Sequence, residues 1–160
     1  MSSAAVPDAE ELRKLISQFV GKPVTLKAPA GPPKPNSAPQ LQALYCADDG
    51  TPCAVASLDF LFAAYLGAAL AMMPPGAAQD AAKTGKMSEL LMDCTKEVLN
   101  VSAQLMNKPG RQHVALNRVV SGLQGLPPEI RAKMATARFQ KEYDLEIAGY
   151  GRGRVVFRAA

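Results

Sequence analysis

The chain is poor in the residues on which many binding and catalytic sites depend. It has no Trp, its aromatic residues make up 6%, and it contains one His and three Cys among 160 residues. So few aromatic side chains would supply a weak stacking platform for nucleic acid bases. Hydrophobic residues account for 48% and charged residues for 20%, which excludes an intrinsically disordered chain. The length of 160 residues predicts one ordinary folded domain, spanning 1–160.

The cysteines and the N-terminus indicate a reducing compartment. An odd number of Cys cannot pair fully within one chain, and residues 1–14 contain three acidic side chains and no apolar segment of a secretory signal. We therefore expect a cytoplasmic protein. Together with His113, the cysteines would be the complete supply of Cys and His ligands for a zinc site, but no Cys-x-x-Cys pair occurs. We therefore expect the three cysteines, Cys46, Cys53 and Cys94, to be small core residues.

The net charge is modest. Lys and Arg exceed Asp and Glu by 18 − 14 = +4, and the excess is scattered along the sequence, so it does not indicate nucleic acid as the partner. An RNA-binding module remains a minor alternative, which would use Arg111, Arg118, Arg152, Arg154 and Arg158. It would show binding that weakens steeply with salt.

One segment, residues 53–73, is long and apolar enough to raise the question of a membrane span. Asp59 lies within it, and a carboxylate near the bilayer centre costs about 3 kcal/mol. We predict instead a strand at 53–58 and a buried helix at 60–73, capped by Asp59 and stopped by the two prolines that follow. No membrane association is expected.

Hydrophobic periodicity predicts the remaining elements. Apolar residues recur with helical spacing after Glu11 and alternate with period two over 139–147. The predicted order is a helix ending at Gly21, an extended piece at 24–27, a Pro-rich loop at 29–39, strands at 41–47 and 53–58, a helix at 60–73, a loop at 74–86, a helix at 87–107, an extended run at 113–120, a short helical piece at 126–135, and strands at 139–147 and 154–158. This pattern predicts an α+β fold, in which an antiparallel sheet carries two long helices and an N-terminal helix.

The helix at 87–107 carries the most informative pattern. Its apolar side chains are predicted to face the core: Met87, Leu90, Leu91, Cys94, Val98, Val101 and Leu105. Beside them, Asp93, Glu97 and Asn100 form a polar line that continues to Gln104. A carboxylate and a carboxamide three residues apart on a helix lie side by side, so they suit insertion into a partner. The alternative is a solvated helix face whose polar residues happen to align.

At this point the sequence resembles the CheX/CheC family of chemotaxis phosphatases, in particular its single-site, CheX-like members. The family signature is Asp or Ser, three residues, Glu, two residues and Asn, and it stands here as Asp93-x-x-x-Glu97-x-x-Asn100. The order of elements around it also looks like the family: a hairpin, an apolar helix ending in two methionines, the motif helix, an extended run and two closing strands. The resemblance covers roughly 41–157.

The resemblance implies a CheC/CheX-like fold and a phosphatase that hydrolyses the aspartyl phosphate of a CheY-like response-regulator receiver domain. Glu97 would dock on a lysine of the regulator, Asn100 would orient the attacking water, and Asp93 would support them. Mg²⁺ would belong to the regulator, and this chain would hold no cofactor or metal of its own. The resemblance also leans toward a homodimer.

Two features depart from the family pattern. A proline expected about two dozen residues after the motif is replaced by Leu123, and Pro127-Pro128 follow a few residues later. Asn117 and Arg118 stand in the stretch where the prolines usually lie. No second Glu-x-x-Asn helix occurs, so the two-site arrangement is not matched. A non-catalytic CheX-like adaptor in two-component or chemotaxis signalling is therefore the alternative function.

Overall fold

The computed structural model describes residues 5–27, 40–122 and 125–159, and the predicted Pro-rich loop at 29–39 lies outside these ranges. Within them the chain forms five α-helices and six strands. The helices are α1 (Ala9–Val20), α2 (Phe60–Leu70), α3 (Pro75–Thr84), α4 (Glu89–Ser102) and α5 (Pro128–Ala135), and a 3-10 turn (Ala103–Leu105) extends α4. The strands are β1 (Val24–Lys27), β2 (Gln40–Cys46), β3 (Pro52–Asp59), β4 (Ala115–Ser121), β5 (Phe139–Ile147) and β6 (Gly151–Ala159).

The strands form one antiparallel sheet in the order β1-β5-β6-β3-β2-β4. Two hairpins build its centre: β2 pairs with β3, and β5 pairs with β6. The turn at Asp48-Asp49-Gly50 joins the first hairpin as predicted, and Gly50 has the positive φ of 88° that this turn needs. The predicted α+β class, with helices on an antiparallel sheet, is confirmed.

Different helices cover the two faces of the sheet. Neighbouring side chains of a strand point to opposite faces, so each strand contributes to both. On β2, Leu41 and Tyr45 point into the main core with α1, α2, α3 and α4. Leu44 and Cys46 point the other way, where they form a smaller apolar cluster with Ile130 of α5. Helix α5 therefore lies on the face opposite α4.

Helix α1 agrees with its prediction. The Asp8 carboxylate accepts hydrogen bonds from the backbone N–H groups of Glu10 and Glu11, at 3.2 and 3.4 Å, and so caps the helix. Gly21 ends it in the left-handed conformation, with φ of 71°.

The predicted loop at 74–86 is wrong, since most of it is helix α3. Pro75 occupies the first helical turn, where proline is tolerated because its missing N–H would have no partner in the helix. Gly85 ends the helix with φ of 72°. Ala78 and Ala81 are buried one turn apart against the core. Such small side chains give a weak hydrophobic pattern, which explains why the helix was not predicted.

Helix α2 is buried almost all round, as predicted, but Asp59 does not cap it. Its side chain makes no bond to the helix; instead, Asp59 Oδ2 accepts a hydrogen bond of 2.9 Å from the backbone N–H of Arg154 on β6. The carboxylate thus ties β3 to a neighbouring strand of the sheet. Across the described ranges, no helix is long and apolar enough to cross a bilayer.

Candidate functional site

Helix α4 carries the residues of the predicted motif. Ser88 caps its start, because the Ser88 Oγ accepts a hydrogen bond of 3.2 Å from the backbone N–H of Leu91. Its far end tightens into the 3-10 turn, where the N–H of Ala103 bonds to the carbonyls of Asn100 and Val101. The helix is therefore fixed at both ends by local sequence.

Close packing against α2 sets the orientation of α4. The Thr95 hydroxyl lies fully buried between the two helices, within hydrogen-bonding distance of the carbonyls of Ala63, at 3.1 Å, and Leu91, at 2.9 Å. Gly67 of α2 faces this contact, and a Cβ there would lie 2.7 Å from the Leu91 carbonyl oxygen. The absence of a side chain at Gly67 allows the two helices to approach this closely.

The buried face of α4 differs from the predicted one. Leu90 was assigned to the core but is 57% exposed, whereas Thr95 and Ser102 are buried. Both hydroxyls lie within hydrogen-bonding distance of the carbonyl one turn earlier, and the Ser102 hydroxyl donates to Val98 at 2.8 Å. Because these bonds satisfy the hydroxyls, polar residues can occupy the contact, and the helix is rotated relative to the hydropathy pattern.

The polar line is exposed, as predicted. Asp93, Glu97, Asn100 and Gln104 are all exposed on the side of α4 that faces away from the core. Glu97 and Asn100 are three residues apart, so their Cβ atoms are neighbours at about 5–6 Å. Within the described part of the chain, the Asp93, Glu97 and Asn100 side chains make no hydrogen bond or ion pair. The carboxylate and the amide are thus available to a partner.

The predicted core cysteines have no part in this site. All three are free thiols; Cys46 is buried, while Cys53 and Cys94 are half-buried. Burial raises the pKa of the Cys46 thiol, which favours its protonated form. His113 lies 3.3 Å from Asp48 on the surface. Among the residues described, no three Cys, His, Asp or Glu side chains cluster closely enough to hold a metal ion.

The proline pair of the sequence does not adjoin the polar line. Pro127 and Pro128 begin α5, on the sheet face opposite α4. Leu123 lies outside the described residues. Asn117 and Arg118 are exposed on β4, where Arg118 Nε donates to Asn117 Oδ1 at 3.1 Å.

The arginines of the RNA alternative are spread over the molecule. The partly exposed Arg152 pairs with the buried sheet carboxylate of Asp144, at 2.7 Å between Nε and Oδ1. Arg158 lies within hydrogen-bonding distance of Gln140 and Ser57. Arg111 lies over the ring of Phe139, 5.5 Å from its centroid. Several of these guanidinium groups are therefore engaged by the protein itself.

The sequence does not predict the roles of two residues around the site. Leu90 is predicted on the core face but is exposed. Tyr45 has no predicted role, whereas its hydroxyl donates a hydrogen bond of 2.7 Å to the carbonyl of Leu99 in α4. Thr95 and Ser102 are two polar residues on the side of α4 away from Glu97. Burial of these two residues turns Leu90 toward solvent, so they were the signal in the sequence that could have predicted its exposure. No local signal pointed to the contact of Tyr45.

Comparison with known proteins relates the fold to flagellar and chemotaxis proteins. No family model and no curated protein sequence matches the chain. Among solved structures, FliM of H. pylori in its complex with SpeE matches with a TM-score of 0.63 at 12% identity, covering 94% of this chain and 80% of that one. FliY of Thermotoga maritima matches with a TM-score of 0.55 at 12% identity, covering 93% and 82%.

The chemotaxis protein CheX of Vibrio vulnificus decides the fold type. It matches with a TM-score of 0.52 at 12% identity, and the match covers 93% of this chain and 91% of that one. The fold is CheX/CheC-like. At this identity the likeness concerns the fold alone, and it agrees with the family that the sequence resembles.

Proposed function

We propose that this chain is a CheX-like phosphatase that accelerates hydrolysis of the aspartyl phosphate on a response-regulator receiver domain. The observation that carries the proposal is the exposure of Glu97 and Asn100, side by side and without partners in the described chain, on a helix that the hydrogen bond from Tyr45 ties to the sheet. The CheX/CheC-like fold supports the same proposal, because the motif stands on the helix where the resemblance expects it.

The chemistry of the two side chains fits an insertion mechanism. Asn100 offers an amide N–H donor and a carbonyl acceptor, so it can hold a water molecule in line with phosphorus. A phosphoryl transition state leaves little covalent work for the protein, and orientation of the nucleophile is a principal contribution. Glu97 lies one turn away and pairs with a lysine of the regulator. Asp93, a further turn back, adds negative charge to the docking face.

Mg²⁺ in this proposal belongs to the regulator. The Glu97 and Asn100 side chains are too few to hold a metal on their own, and the amide is needed for water. This chain thus supplies docking and orientation, and the receiver domain supplies the phosphorylated aspartate and its metal. We propose that this takes place in the cytoplasm.

A non-catalytic adaptor is the second candidate. Two observations favour it: the family proline is absent from its expected place, and the FliM structure that matches this chain was solved as a complex with another protein, SpeE. An adaptor would use the same exposed face to bind a partner without changing the lifetime of its phosphate.

The test begins with binding and continues with the rate. Receiver domains of the source organism are loaded with beryllofluoride and Mg²⁺, and those that bind the chain are then phosphorylated with acetyl phosphate and mixed with it. We expect faster phosphate release with the wild-type chain. Asn100→Ala should lower the catalysed rate by about a hundredfold or more, equivalent to about 3 kcal/mol, with binding retained. Glu97→Gln should weaken binding about tenfold or more.

Gln104→Ala provides the matched control, since Gln104 is an exposed amide on the same face one turn beyond Asn100. It should leave the rate unchanged and alter the dissociation constant by no more than about threefold, because contacts around an interface centre contribute little binding energy. A receiver domain that binds but loses its phosphate no faster would refute the phosphatase and leave the adaptor. Failure of every receiver domain to bind would exclude the phosphatase and any adaptor that acts on a receiver domain.

A further inference from the structure

Leu90 is an exposed leucine in line with the proposed site. Of the described residues, three large apolar side chains are exposed: Phe19 at 36%, Met72 at 89% and Leu90 at 57%. Leu90 is the one that stands on α4 itself. More than half of its surface is exposed, so the fold gains only part of the burial that a leucine can provide at this position.

Helix geometry places Leu90 beside the motif. With about 100° per residue, Leu90, Asp93, Glu97 and Asn100 fall within a sector of about 80° on the exposed side of α4. Leu90 lies two turns before Glu97, a rise of about 10 Å, and three turns before Asn100, about 15 Å. An apolar contact, a carboxylate and an amide thus follow one another along one face of a rigid element.

The dimensions of protein interfaces connect Leu90 to the same partner. A standard interface buries about 800 Å² on each protein, which corresponds to a disc of about 16 Å radius. A partner centred on Glu97 therefore reaches Leu90. Buried apolar anchors surrounded by polar residues provide much of the binding energy in such interfaces.

The charge around Leu90 narrows the choice of partner. Glu89, Asp93 and Glu97 are exposed acids on this side of α4, and Lys96 lies at its border. The chain as a whole carries a net charge of +4, so this face is acidic on a basic protein. It is complementary to a partner surface with basic groups beside an apolar contact.

We infer that Leu90 is the apolar anchor with which this chain docks the receiver domain, while Glu97 and Asn100 act on its phosphorylation site. The inference rests on the proposed function for the identity of the partner. It assigns Leu90 to affinity and not to chemistry, because it lies about 15 Å along the helix from the amide that orients water.

The experiment separates affinity from turnover. With the beryllofluoride-loaded receiver domain that binds the wild-type chain, Leu90→Ser should raise the dissociation constant about tenfold, and the concentration of phosphorylated receiver at half-maximal rate should rise equally. The maximal rate should stay within about twofold. Leu90→Met, which keeps an apolar side chain, should restore binding. Phe19→Ser on α1 is the control for loss of an exposed apolar residue and should bind normally.

The outcomes distinguish this inference from the function on which it rests. If Leu90→Ser binds like the wild type while Asn100→Ala still loses the catalysed rate, Leu90 is not the anchor and the phosphatase stands. If the wild type binds a receiver domain without accelerating hydrolysis, the dissociation constants of the Leu90 variants still decide the inference. If the wild type binds no receiver domain, both are wrong.

Discussion

The hydroxyl of Tyr45, on the central strand β2, donates a hydrogen bond of 2.7 Å to the carbonyl of Leu99, the residue before Asn100. The bond supplies a donor that the Leu99 carbonyl lacks within α4. In a regular helix this carbonyl would accept from the N–H of Ala103, which here bonds to the carbonyls of Asn100 and Val101 as the helix tightens. Tyr45 is fully buried, and its burial raises the pKa of the phenol, so it remains a donor. The sheet therefore holds the helical turn that presents the candidate water-orienting amide.

We predict that Tyr45→Phe destabilises the protein and slows catalysis together. Removing the hydroxyl leaves the buried Leu99 carbonyl without this donor, which costs about 1–3 kcal/mol in urea unfolding. The turn at Asn100 also loses its tie to the sheet, so we expect the maximal rate of phosphate release to fall with little change in receiver binding.

Tyr150→Phe is the matched control for Tyr45→Phe. The Tyr150 hydroxyl also donates to a backbone carbonyl, that of Met73 at 2.7 Å, but in the turn that follows α2 and not in α4. It should lower stability without affecting the maximal rate. Equal loss of rate in both variants would mean that the bond of Tyr45 contributes only to general stability.

Helical arithmetic was sufficient to predict the exposed motif. Around the helix axis, Asn100 lies about 160° and Glu97 about 100° from Val98, a strongly apolar residue that is expected to face the core, so both side chains fall off the core face. The hydropathy pattern thus fixes the rotation of the helix about its axis to within about one residue position. That precision is enough to predict the exposure of residues at the centre of the polar line, but not of residues at its border.

The rest depended on contacts that are distant in sequence. Leu90 lies at the border of the apolar face, and its exposure follows from the buried hydroxyl of Thr95, which is accommodated only because Gly67 approaches it from another helix. The bond from Tyr45 to Leu99 joins residues 54 positions apart. Neither relationship has a signature within a local window of the sequence.

The contact between Gly67 and α4 makes a second prediction. A Cβ at position 67 would overlap the Thr95 hydroxyl and lie 2.7 Å from the backbone oxygen of Leu91, which cannot move without disturbing α4. Gly67→Ala should therefore lower the free energy of unfolding by about 1–3 kcal/mol, the cost of overpacking a core. Because α4 must shift, it should also reduce the rate of phosphate release.

Gly76→Ala is the comparison for Gly67→Ala in the neighbouring helix α3. A Cβ at Gly76 would have nothing within 4 Å, and its φ is not in the left-handed region. The substitution should leave stability unchanged or raise it by up to about 1 kcal/mol through helix propensity. The prediction fails if thermal and urea unfolding show the same sign and size of change for both glycines.

Met72 makes the third prediction, because it has a positive φ of 59° and is 89% exposed. The left-handed conformation costs a residue with a side chain about 1–2 kcal/mol, and the exposed Met72 side chain recovers little of this by packing. Met72→Gly should therefore raise the free energy of unfolding by up to about 1 kcal/mol, after the entropic cost of glycine in the unfolded chain is subtracted. Ala71→Gly, at the adjacent residue with an ordinary φ of −79°, should instead lower it by about 0.5–1 kcal/mol. Urea unfolding of the two variants beside the parent measures both effects, and destabilisation of similar size in both would show that the turn after α2 gains nothing from glycine at position 72.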